Sequence, residues 1–172
     1  MRGHPMRTDR SVVNIVVAGL GGQGVITASD ILADAAFRAG LAVKKSEIHG
    51  MSQRGGSVSS DVRFGARVLS PMVPPGEADF LVVLAPDQVE PNRHQLRADG
   101  VLITPDVVEE SALQNRRSLN VALLGTLSIH IPEIAENYWV EAVLSNLPPK
   151  LHEVNRQAFA VGQAAGRKGI KG

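Results

Sequence analysis

The chain has no cysteine. That excludes disulfides, a thiolate nucleophile and cysteine-ligated iron–sulfur or zinc within these residues, and it fits a reducing cytoplasm. Aromatic residues are almost as scarce. At 3% of 172 residues they are too few for a base-stacking platform, so the core has to be built from Val, Leu, Ile and Ala. An excess of charge is also missing. A formal net charge of +1 gives no bulk attraction to nucleic acid or to a membrane surface. No run is long and apolar enough to span a bilayer. Residues 1–11 are polar and basic without an apolar core, so they read as a flexible N-terminal arm and not as a signal peptide. What is present, 44% hydrophobic and 20% charged, is the composition of one soluble globular domain. The expected division is an arm over 1–11, one domain over 12–166 and a frayed basic tail over 167–172.

The richest stretch runs from Val12 to Ala39. Val12-Val13-Asn14-Ile15-Val16-Val17-Ala18 is β-branched and nearly all apolar, as a strand buried on both faces should be. Gly19-Leu20-Gly21-Gly22-Gln23-Gly24 follows and contains G-x-G-x-x-G. Val25, Ala28, Leu32, Ala35 and Ala39 then recur at helical spacing on one face, with Thr27, Asp30, Asp34 and Arg38 on another. Gly40 is the expected helix stop. Glycines let a strand turn sharply into a helix and let backbone amides approach a ligand. The helix N-terminus then favours a phosphate or carboxylate. The same glycines equally serve a tight turn that only packs the helix on the sheet, so Gly19, Gly21, Gly22, Gln23 and Gly24 stand as a phosphate or interface loop. A dinucleotide site also needs an acid after the second strand, for the ribose. Glu47 is the one candidate, somewhat late.

The second strand, Leu41 to Ser46, leads into His49-Gly50-Met51-Ser52-Gln53-Arg54-Gly55-Gly56-Ser57. A loop so polar and glycine-rich belongs on the surface. An isolated histidine there is more often simply solvated. The whole cluster, nearly without apolar side chains between two strands, points to function. Arg54 is suited to clamp an anion, and His49 supplies an imidazole, the side-chain type whose ordinary pKa lies nearest neutrality. Ser57 to Phe64 alternates polar and apolar residues, which predicts an outer or antiparallel strand, with Val68-Leu69-Ser70 pairing back. Phe80-Leu81-Val82-Val83-Leu84-Ala85 predicts a central parallel strand. A short helical segment follows around Glu90 to Arg97, then a strand at Val101-Leu102-Ile103-Thr104. This topology places Gly19 to Gly24, Ala85-Pro86 and Thr104-Pro105 on one rim. The last third reads as helices over Asn120 to Ile131, Ile134 to Leu147 and Lys150 to Ala165. In the last of these Leu151, Val154, Ala158, Val161 and Ala165 line up. The fold class expected is α/β: a three-layer α/β/α arrangement around a mostly parallel sheet of five to six strands, with a Rossmann-like glycine loop and a helical C-terminal third.

These motifs carry a family resemblance. Gly19-Leu20-Gly21-Gly22-Gln23-Gly24-Val25 is similar to the opening motif of the gamma-type domain of 2-oxoacid:ferredoxin oxidoreductases. His49-Gly50-Met51-Ser52-Gln53-Arg54-Gly55-Gly56-Ser57-Val58 resembles the small (beta) subunits of the indolepyruvate-type enzymes. Asn120-Val121-Ala122-Leu123-Leu124-Gly125 and Asn155-Arg156-Gln157-Ala158-Phe159-Ala160-Val161-Gly162 resemble the family's helical end. The resemblance implies a subunit that carries no cofactor and no catalytic residue of its own. Its partner would be a large alpha subunit holding thiamine diphosphate, Mg and iron–sulfur clusters. Together they would oxidise indolepyruvate or another arylpyruvate to an aryl-acetyl-CoA, CO2 and reduced ferredoxin, with coenzyme A as co-substrate. It implies that His49, Gly50, Met51, Ser52, Gln53, Arg54, Gly55 and Gly56 face the partner or substrate and that no metal binds this chain. An exposed partner-facing patch is further expected to drive a homodimer when the true partner is absent. The competing reading is an independent Rossmann-type nicotinamide- or flavin-binding oxidoreductase; a third is an α/β scaffold for assembly alone.

Overall fold

The computed structural model describes residues 12–49 and 55–169. The arm expected over 1–11, the loop residues Gly50 to Arg54 and the end of the tail (170–172) lie outside the described residues. The chain begins with strand β1 (Val12–Leu20), helix α1 (Val25–Arg38), and strands β2 (Ala42–His49) and β3 (Ser57–Gly65). Strand β4 (Ala78–Val83) follows, then a run of short helical turns containing α2 (Val89–Asn92), then β5 (Leu96–Ile103). The last third supplies α3 (Leu119–Ser128), α4 (Glu136–Asn146) and α5 (His152–Arg167).

The five strands form one sheet in the order β2-β3-β1-β4-β5. The fully apolar runs occupy its middle: β1 pairs with β4 in parallel, and β4 with β5 in parallel. The alternating strand β3 lies antiparallel between β1 and β2, pairing Val12 with Gly65 on one side and Ala42 with Gly65 on the other. The sheet is therefore mixed, with two of its four pairings parallel where a mostly parallel sheet is expected from the sequence; β3 is antiparallel, as its alternating pattern predicts, but lies inside the sheet. The physical reason is that β3 returns directly from the loop after β2. A short connection allows an antiparallel neighbour, whereas a parallel one needs a long crossover. Val68-Leu69-Ser70 adds no strand.

The two faces of the sheet are covered unequally. One face carries Val13, Ile15, Val17, Val62, Phe64, Phe80, Val82 and Ile103 into a single apolar core with α1, α3, α4 and α5. The apolar positions read from the α1 sequence are buried as expected, with Ala39 only partly so, and Ile31 and Ala36 join them. Gly40 stops the helix at φ +86°, a conformation that costs glycine little. The opposite face has a small apolar cluster, Val16, Val73, Ala78, Leu81 and Val83, under the 71–77 connector and the short α2 region. That third layer is thin, and polar groups hold it in place. Asp79, buried, accepts from the Asn14 backbone N–H (2.8 Å) and pairs with Arg97 (3.2 Å). Arg63 donates to the Asn14 side-chain oxygen (2.8 Å), and Asp61 accepts from the Val73 N–H (2.9 Å).

Helix α3 is the keystone of the C-terminal third. Every residue from Asn120 to Leu127 is buried. Helix α5 crosses it at backbone distance, and this changes which face of α5 points inward. Leu151, Val154, Val161 and Ala165, expected inside, are only partly buried, although Ala158 is buried as expected. The buried set is Asn155, Ala158, Phe159, Gly162, Gln163 and Gly166. A close backbone contact selects small residues over large apolar ones.

Candidate functional site

The carboxyl ends of β1, β4 and β5 share one rim of the sheet, and the antiparallel β3 begins at that same rim. Two motifs far apart in sequence therefore meet. The Gly21 N–H donates to the Gly56 carbonyl at 2.8 Å. A Cβ built on Gly21 would lie 3.2 Å from the Gly55 nitrogen, so glycine permits the two backbones to touch. Gly55 itself takes φ +92°. Beside the contact, the Ser57 hydroxyl donates to Gln88 Oε1 (2.9 Å), which ties the loop end to the turn after β4.

The glycine loop folds around its own glutamine. Gln23 Oε1 accepts from the Leu20 N–H at 2.7 Å. A Cβ on Gly19 would lie 2.9 Å from that oxygen and 2.9 Å from a Val25 methyl. Gly22 and Gly24 take φ +89° and +83°. Asn120 at the start of α3 donates to the Gly24 carbonyl (3.2 Å). The N-cap of α1 is Gly24, which has no side chain with which to cap the helix, and no acid lies in the first turn.

The outer side of the same loop is open. Gly22, Gln23 and Gly24 line a cleft of about 440 Å³ with Leu84, Arg116, Arg117 and Leu119. Both arginines are exposed, and Arg116 is held by Glu110 at 2.7 Å. They come from Asn115-Arg116-Arg117-Ser118, where Asn115 Oδ1 accepts from the Arg117 N–H and fixes the turn into α3. Sequence reasoning missed Leu84, Arg116, Arg117 and Asn120. A signal did exist: two arginines directly before a helix oppose its macrodipole, so helix stability does not explain them. The cleft can accept an anionic group between two guanidinium groups and an uncapped helix end.

Of the other sequence-predicted residues, His49 closes β2 with its backbone opposite Val58, and its side chain lies outside the described residues. So do Gly50, Met51, Ser52, Gln53 and Arg54. Glu47 is in β2, on the far side of β3 from β1. The inserted strand carries it roughly 10 Å from where a dinucleotide ribose would sit beside β1. Glu47 pairs with Lys45, which also binds Asp30 at 2.6 Å. Burial lowers the Lys45 pKa, but these two carboxylates outweigh it and leave the pKa raised. Among the described residues no group of three or more His, Asp or Glu side chains is placed to hold a metal ion. No helix among them is long and apolar enough to cross a membrane.

The family model for pyruvate ferredoxin/flavodoxin oxidoreductase matches residues 14–165. The chain is 33% identical to the indolepyruvate oxidoreductase subunit IorB of Thermococcus kodakarensis, over 90% of this chain and 96% of that one. It is 32% identical to the subunit of the same name from Methanothermobacter thermautotrophicus, over 88% and 96%. Among solved structures, the gamma subunit of a keto/oxoacid ferredoxin oxidoreductase from Geobacter sulfurreducens shares the fold. It superposes with a TM-score of 0.76 at 22% identity, covering 93% of this chain and 99% of that one. A 2-oxoglutarate:ferredoxin oxidoreductase from Magnetococcus marinus, solved with 2-oxoglutarate, coenzyme A and succinyl-CoA, matches with a TM-score of 0.81 at 21% identity. That match covers 95% of this chain and 32% of the larger one. The chain belongs to the pyruvate ferredoxin/flavodoxin oxidoreductase family and, within it, to the IorB-type subunits of indolepyruvate oxidoreductase.

Proposed function

We propose that this chain is the cofactor-free subunit of a complex that oxidatively decarboxylates an arylpyruvate to an aryl-acetyl-CoA, and that its glycine rim faces the active site. In this reading thiamine diphosphate, Mg and the iron–sulfur clusters reside on the large partner subunit, which passes electrons to ferredoxin in the cytoplasm. The cysteine-free sequence supports the division, since it offers no thiolate for a cluster. The carrying observation is the junction of the two motifs. The Gly21–Gly56 hydrogen bond brings Gly55 and Gly56, the end of the second motif, against the glycine loop, next to the arginine-lined cleft. The chemistry of that cleft suits the phosphates of coenzyme A: backbone amides and guanidinium groups give charge-assisted hydrogen bonds to an anion. The domain boundaries proposed are 12–166, although α5 itself runs one residue further, to Arg167.

The competing dinucleotide reading needs an acid at the ribose and an open glycine turn. Here Glu47 is displaced by β3, and Gln23 fills the turn. The test is Arg117→Ala in the reconstituted complex. Losing one charge-assisted contact costs about 1.5–3 kcal/mol, so KM for coenzyme A should rise about tenfold or more. KM for the arylpyruvate should not change. Unchanged KM values for both substrates would contradict a coenzyme role for the cleft, and bound flavin or dinucleotide in the purified chain would contradict the whole reading.

A further inference from the structure

Among the described residues the sheet ends at β2, whose outer edge has no neighbouring strand there. Exposed edges of this length are normally blunted by charge, proline or a bulge. Strand β2 has eight residues, no proline and an uninterrupted register with β3. Its lysines do not blunt it. Lys45 is held by Asp30 and Glu47 on the helical face, and the Lys44 ammonium is held over the other face by the Leu69 carbonyl at 3.4 Å. That second face also presents three exposed large apolar side chains, Ile48 (44%), Leu69 (75%) and Met72 (55%).

We infer that β2 is a homodimer interface at which two copies of this chain pair edge to edge, antiparallel, about a two-fold axis at Ser46. Symmetry limits the choice of register. A two-fold axis perpendicular to the sheet preserves its faces, so opposed residues must have equal parity and the axis must pass through a residue pair. Centring on Lys45 or on Glu47 opposes like charges. Centring on Ser46 opposes Lys45 to Glu47 of the second copy, twice. It also opposes Lys44 to Ile48 of the second copy, which brings that isoleucine beside Leu69. Charge complementarity and the covering of Ile48 beside Leu69 are thus satisfied by one register. The two sheets become continuous, with the two site rims at opposite ends of the seam. This inference is independent of the function proposed above.

The 172-residue chain tests it, because a cysteine-free sequence makes any introduced thiol unique. In Ser46→Cys the paired Cα atoms would lie about 4.5–5.5 Å apart, within disulfide range, so mild oxidation should give a covalent dimer. In Ala42→Cys the two thiols would be about 25 Å apart along antiparallel strands and should not link. Sedimentation velocity at tens of micromolar should show a wild-type dimer. Lys45→Glu and Glu47→Lys, each alone, should weaken it about tenfold or more. Mixed together they should form the heterodimer, whose cross-strand charges are again opposite. A wild-type monomer at that concentration, equal cross-linking at positions 42 and 46, or single reversals that dimerise like wild type would overturn the inference.

Discussion

Glycine serves two different ends in this molecule, at the α3–α5 crossing and at the rim of the sheet. At the crossing, a Cβ on Gly162 would lie 1.7 Å from the Ala122 carbonyl oxygen, and one on Gly125 would lie 2.1 Å from that of Phe159. Both contacts are helix backbone against helix backbone inside the core, where nothing can move aside cheaply. At the rim, the Cβ of Gly21 would meet Gly55 at 3.2 Å, and that of Gly22 would meet nothing within 4 Å. The first region uses glycine to bring helices together. The second uses it to shape an exposed edge and leave one side open. Substitution should therefore cost stability in one place and function in the other.

The largest effect should come from Gly162→Ala. Forcing a methyl into a packed helix crossing costs about 3 kcal/mol, which for a chain of this size lowers Tm by about 10 °C. A thermal melt reads it directly, and an unchanged Tm would remove the close crossing from the account. Gly21→Ala should invert the pattern. The loop over 55–56 needs to shift only a few tenths of an ångström, so Tm should fall by no more than about 3 °C. Turnover in the reconstituted complex should drop about tenfold as the two loops lose their contact. Loss of stability without loss of turnover would mean the junction only supports the fold.

The smallest effect concerns the thin face of the sheet. Burial pushes the Asp61 carboxyl above its usual range, against the hydrogen bond from Val73 and the charge of Arg63. A folded-state pKa above the unfolded value means the folded chain holds the proton more tightly. The stability this contributes is present below the unfolded value, near pH 4, and is lost as pH rises through the folded one. Asp61→Asn keeps an acceptor for the Val73 N–H and removes the titration. Its stability relative to wild type should rise as pH increases from about 4 and then level off, measured by urea denaturation at several pH values. A flat difference would show that Asp61 titrates normally.

How legible the molecule was in its sequence depended on how local each signal was. The β1–glycine–α1 unit, the Gly40 stop and the fully buried β4 follow from runs and periodicities within a few residues. The insertion of β3 between β1 and β2 did not, because strand order is set by contacts across the chain. That insertion also explains why Glu47, at an almost suitable spacing, is on the wrong side of a strand. In α5 the apolar stripe pointed to Val154 and Val161, while the real contact face is Asn155, Gly162, Gln163 and Gly166. Hydrophobicity does not report a seat that demands small size. The glycine loop was legible as a motif, but its partners in the cleft, Arg116 and Arg117, arrive from a separate segment.

The proposed function requires that the rim be the face turned toward the partner's active site. Hydrogen exchange on the isolated chain and on the reconstituted complex tests that most directly. Protection should increase in the complex across residues 19–24, 55–57 and 115–119, and increase further with coenzyme A. Exchange at these three segments that is unchanged by either the partner subunit or coenzyme A would contradict it.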